Sequence, residues 1–122
     1  MQHASLTAER WSAIPLEQRI LMIANEMNRA SKLFGVEDRG RLGHCYERIL
    51  RLADLTVETR IRRSLRRELL RWRDVVAEMF LSPNPDRERH RAAFKALLLL
   101  HPVSARQIPF VLDGYGPLVS DR

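Results

Sequence analysis

The chain has 122 residues, 45% hydrophobic and 30% charged, with 5 glycines and 6 prolines; this is the size of one domain and too apolar for a disordered one. A formal charge of +6 and a pI of about 10.6 favour polyanionic partners, although 19 of the 21 basic residues are Arg, as GC-rich coding would produce with no phosphate to bind. A single cysteine, Cys45, excludes an internal disulfide; no wholly apolar run is longer than that from Ala96 to Leu100, far too short to span a bilayer, and MQHASLTAERW shows no basic-then-apolar leader, so a soluble cytoplasmic protein without membrane insertion is expected.

Thr7 to Trp11 predicts a short turn whose Trp covers one end of the core. A first helix over about 15–34 starts at Pro15, a residue suited to the first helical turn. Leu16, Ile20, Ile23, Ala24, Met27, Ala30, Ser31 and Phe34 fall on one side of it, and Gly35 ends it. A second helix, about 41–55, turns Leu42, Cys45, Tyr46, Ile49, Leu52 and Ala53 inward and leaves His44, Glu47, Arg48 and Arg51 outside. A third, over 57–81, would be ~37 Å long at the α-helical rise and stops at Ser82-Pro83. Asn84-Pro85 then reads as a cap and first-turn proline for a fourth helix, 85–100.

The tail, 101–122, carries Pro109, Gly114, Gly116 and Pro117 and is expected to be extended and non-helical. It is too apolar to stay wet, so it must dock on its own bundle or on a neighbour. Ile108, Phe110, Leu112 and Tyr115 are its interface candidates. The fold class is thus all-α: a single-domain antiparallel four-helix bundle, 1–122, with an extended C-terminal segment.

The segment RIRRSLRRELLRWRD, Arg60 to Asp74, holds seven arginines. On a helical wheel Ile61, Leu65, Leu69, Trp72, Val76, Met79 and Phe80 form one stripe, and the arginines coat the rest. A helix gripping phosphates concentrates its cations on one side; spread ones are a solvated face whose flanking side chains cover the core edge. Arg62, Arg66 and Arg73, with Arg63 beside them, are the best polyanion-binding candidates. Glu68 at the stripe's edge needs a cation, expected from Arg29 or Arg48 of a neighbouring helix.

Catalytic and metal constellations are scarce. His3, His44, His90 and His101 include no pair at chelating helical spacing, and His90 and His101 would lie ~16 Å apart along one helix. His44 and Cys45 are adjacent and diverge by ~100° on a helix. No phosphate-cradling glycine loop and no G-x-S-x-G are present, so no cofactor, metal or small-molecule substrate is expected. Arg39-Gly-Arg-Leu-Gly-His44 resembles the R-x4-H ribonuclease motif of the HEPN helical-bundle families, with Gly40 where that family usually carries a polar residue. The resemblance implies RNA cleavage, with Arg39 and His44 beside a scissile phosphate.

The expected function is a non-catalytic interaction or adaptor protein that associates with itself or another protein. The apolar tail and the off-stripe residues Leu21, Met22, Leu33, Leu70, Leu81 and Leu99 motivate it, since together they offer a second apolar surface. RNA or DNA binding by the third helix is the alternative, and a HEPN-like ribonuclease the third reading.

Overall fold

The first helix forms because Thr7 caps it. In the computed structural model, which describes residues 7–113, the Thr7 hydroxyl accepts the Arg10 N–H at 3.2 Å, and α1 (Ala8–Ser12) follows. Trp11 is fully buried there. Its indole N–H donates to Thr56 Oγ1 at 2.6 Å, and that hydroxyl donates in turn to the Leu52 carbonyl at 2.8 Å. The polar edge of a large ring is thereby satisfied inside the core.

α2 (Leu16–Ala30) begins after Pro15, whose φ of −55° suits a helix entry. A 3₁₀ turn at Val36–Asp38 leads into α3 (Arg39–Val57). α4 is Arg63–Leu81 and α5 is Arg87–Leu98. Asp86 caps α5 by accepting the Glu88 and Arg89 N–H groups at 3.0 and 3.2 Å. Among the described residues all regular structure is helical. The four long helices touch in a closed cycle: α2 on α3, α3 on α4, α4 on α5 and α5 on α2. α1 leans on α3. The buried apolar side chains of these elements, Leu65 apart, form one cluster, and no helix of the described residues is long and apolar enough to cross a membrane.

Two expectations are corrected. The helix expected over 57–81 does not start at residue 57; α3 runs on to Val57, and α4 starts at Arg63. α4 therefore has 19 residues and a length of about 28 Å. The break is built by side chains that compete with the helical ladder. Thr59 Oγ1 donates to the Thr56 carbonyl at 2.6 Å. Arg66 reaches back from α4, giving Nε to the Val57 carbonyl at 3.1 Å and Nη2 to the Thr59 carbonyl at 2.7 Å. The last carbonyls of α3 are thus satisfied without continuing the helix. Arg19 of α2 closes the corner by donating Nη1 to Thr59 Oγ1 at 2.8 Å. It is buried, its Nε finds no partner among the described residues, and burial lowers its pKa from the ordinary guanidinium value.

Nor is the tail extended in its described part, residues 101–113. His101 accepts the Val103 N–H at 3.1 Å through Nδ1 and starts α6 (Pro102–Ala105), which packs on α2. A single π-helical turn follows at Pro109–Asp113. Ile108 and Leu112 join the core, whereas Phe110 is 57% exposed. A helical turn buries one side of an apolar run and releases the other, which an extended strand would do with a different period. Ser104 Oγ donates to the Leu98 carbonyl at 2.8 Å, and Arg91 Nη2 to the Leu112 carbonyl at 3.0 Å, tying the tail to α5. Tyr115 lies outside the described residues.

Leu112→Ala is expected to lower stability by ~2–5 kcal/mol, and Phe110→Ala to leave it within about 0.5 kcal/mol. Urea unfolding followed by circular dichroism measures both; equal effects would contradict the docked turn.

Candidate functional site

α4 presents its two flanks to different neighbours. Leu65, Leu69, Trp72, Val76 and Met79 are buried along its centre. Toward α3 the flank is sealed. Arg73 makes a forked contact to Asp54, at 2.8 and 3.4 Å, and the Phe80 ring lies beside Gly43 of α3. The Asp54 carboxylate raises the Arg73 pKa from its ordinary value.

Toward α5 the flank stays open. The Trp72 indole N–H donates to the Ala93 carbonyl at 2.8 Å, which sets the spacing of the two helices. α5 answers with Ala92, Ala93 and Ala96, which are too small to fill the space beside the indole. A recess of about 340 Å³ results, lined by Trp72, Val75, the three alanines and Leu100. A second, of about 440 Å³, is lined by Arg62, Ser64, Leu65 and Leu99. The two share Glu68, Ala96 and Leu100, so they form one groove. Leu99 is 59% exposed at one end and Val75 is 36% exposed at the other. Ion pairs edge the groove: Arg71 with Glu68 at 3.3 Å and Arg89 with Glu78 at 2.6 Å.

A separate cavity of about 210 Å³ lies between α2, α5 and the tail, lined by Ser31, Arg87, His90, Phe94 and Leu112 among others. His90 is buried against Phe34 and Tyr46. Its Nε2 lies 2.9 Å from the Met27 carbonyl and its Nδ1 2.9 Å from the Tyr46 hydroxyl. A carbonyl only accepts, so Nε2 carries the proton and Nδ1 accepts from Tyr46. Burial lowers the His90 pKa, the bond to Met27 opposing in part, and burial raises that of Tyr46. Both ring nitrogens are occupied by structural bonds, and neither is presented to a substrate.

The residues named from sequence divide. Arg62 and Arg63 are exposed, Arg62 on the groove wall, while Arg66 and Arg73 are engaged inside the molecule. Ile108 and Leu112 belong to the chain's own core. Leu21, Met22 and Leu33 are half-buried against it, and Leu70, Leu81 and Leu99 are exposed. Glu68 does not reach Arg29 or Arg48; it is exposed and meets Arg71 of its own helix, because its side of α4 faces the groove. Arg48 and Arg29 hold Glu26 instead, at 3.1 and 3.4 Å. Glu26 escaped notice in the sequence, yet its spacing to Ile23 and Ala30 places it on the buried stripe of α2. The alanines of α5 also escaped, since small residues give no signal by apolar periodicity.

The remaining chemistry is dispersed. Arg39 donates to the Pro83 carbonyl at 3.2 Å, and five helical steps turn His44 about 140° away from it. Cys45 is buried, and that burial raises its thiol pKa. Among the described residues no three His, Cys, Asp or Glu side chains are grouped to hold a metal ion.

His90 makes stability depend on pH. Its folded pKa lies below the unfolded value of about 6.5, so the unfolded chain takes up this proton first as pH falls. The contribution is complete above about pH 6.5 and is lost below it, with a limiting slope of ~1.4 kcal/mol per pH unit. Unfolding free energies from urea titrations should fall from about pH 6.5 toward about pH 5 in the parent, with a slope no steeper than that limit, and His90→Gln should be less stable at the higher pH and lack this fall.

Comparison of the chain with protein-family models, with curated proteins and with solved structures finds no match.

Proposed function

We propose that the chain is a non-catalytic helical interaction module that receives an apolar partner surface in the groove between α4 and α5. The groove itself carries this reading: a strip from Val75 to Leu99 with a Trp72 and alanine floor, left open beside a well-buried core. Such a strip between two helices is the kind of surface that accepts a helix. The divergence of Arg39 from His44 and the structural engagement of His90 support a role without catalysis. The same reading takes the four long helices as an antiparallel up-and-down bundle, supported by their short connections and closed cycle of neighbours, and a cytoplasmic setting, supported by the free thiol of Cys45.

Polyanion binding is a second reading, favoured by one observation. Arg60, Arg62, Arg63 and Arg67 cluster at the start of α4, all exposed and none with a carboxylate partner among the described residues.

The groove is tested with the dye 1-anilinonaphthalene-8-sulfonate. Ala96→Arg keeps a good helix former at an exposed position, so stability should stay within about 0.5 kcal/mol. The fluorescence gain on dye binding should fall several-fold, and an unchanged gain would refute the groove. For the second reading, Arg62→Ala with Arg63→Ala should flatten the log–log salt slope of duplex binding by ~2, near 0.9 per phosphate. Arg66→Ala should instead lower the unfolding midpoint.

A further inference from the structure

We infer that the occupant of the α4–α5 groove is a second copy of this chain, related by a two-fold axis that crosses α4 beside Arg71. The inference rests on the reading of this groove as a docking surface and adds the identity and register of the partner.

Shape is the first observation. Leu99, 59% exposed, stands on the groove wall at one end, and Ala92 and Ala93 line the recess beside Val75 at the other. A surface with a knob and a matching hollow is complementary to itself after a half-turn, as an isologous contact requires. Seven residues separate Ala92 from Leu99, about 10 Å along a helix. Two equivalent Leu-into-Ala contacts would therefore flank the axis.

Charge is the second observation, and it is independent of the first. The outer edge of α4 beside the groove carries Arg63, Arg67, Arg71, Asp74 and Glu78 in one helical row, all exposed. The row runs from basic, at Arg63, Arg67 and Arg71, to acidic, at Asp74 and Glu78. A half-turn centred between Leu70 and Arg71 carries position 67 onto 74 and position 63 onto 78. Two of the three basic positions then meet an acidic one of the second copy, Arg67 with Asp74 and Arg63 with Glu78, which also holds Arg89 of its own chain; Arg71, beside the axis, keeps its own Glu68. Asp74 has only a 3.9 Å contact to Arg73 within its own chain and is 77% exposed.

The two observations place the axis at the same level. Trp72 bonds to Ala93, Glu78 to Arg89, and Leu65 shares the groove wall with Leu99. The midpoint of the charge row therefore lies across from about Lys95, and the midpoint between Ala92 and Leu99 falls within about one helical residue, ~1.5 Å, of it. Apolar burial supplies the affinity, and the exposed charges select the orientation.

Analytical ultracentrifugation of the whole chain, from micromolar to submillimolar concentration, is expected to show a monomer–dimer equilibrium. Leu99→Asp should leave a monomer whose melting temperature matches that of the parent at concentrations where the parent is itself monomeric. Arg67→Glu alone and Asp74→Arg alone should each weaken the dimer roughly three- to tenfold, and the two together in one chain should restore it. Rescue by the double exchange is specific to this register. A monomer throughout, or a dimer indifferent to Leu99→Asp and to the exchange, overturns the inference. The dye experiment on Ala96→Arg then separates the cases: loss of dye binding keeps the groove with a partner of another kind, and unchanged binding removes both.

Discussion

The hydrogen bond from the Trp72 indole to the Ala93 carbonyl governs the face of the molecule that matters most here. A buried indole N–H without an acceptor is costly, and a ring of this size cannot retreat from the core without opening a cavity. Together these demands hold α5 at one distance and one rotation from α4. At that rotation the alanines of α5 face the gap, and the gap persists. The open strip is a consequence of satisfying the core.

The arginines follow the same logic of partners. Seven of them crowd Arg60 to Asp74, yet they do different things. Arg66 terminates α3, Arg73 locks α4 to α3 through Asp54, and Arg71 pairs with Glu68. The guanidinium group serves both as a multidentate donor to carbonyls and as a plain charge. Composition counts these uses alike, so a basic pI of about 10.6 overstates the cations available to a polyanion.

The apolar stripes of the long helices were legible in the sequence because burial imposes a 3.6-residue period, and the buried residues of α2, α3 and α4 follow it. The break at 58–62 was not legible. Thr59 and Arg60 keep the helical period, and what stops the helix is a donor from Arg66, seven residues beyond Thr59, together with Arg19 from another helix. The tail was misjudged for a related reason: its proline and glycine content argues against regular helix, while Arg91 and Ser104 fix short helical turns by side-chain bonds. The groove was hidden because it is made by what alanine lacks, and only Leu99 among its residues stood out as an off-stripe apolar position.

The way α3 ends has a further consequence. The carbonyl of Val57, its last residue, and that of Thr59 just beyond are held by a side chain from the first turn of α4, and the Thr59 hydroxyl is gripped by Arg19 of α2. Helix ends ordinarily fray one turn at a time. Here unwinding the end of α3 would release Arg66 and loosen the start of α4, and loosening α4 would uncover the carbonyls of Val57 and Thr59. The two ends are thereby coupled, and their amides are expected to open together in hydrogen exchange.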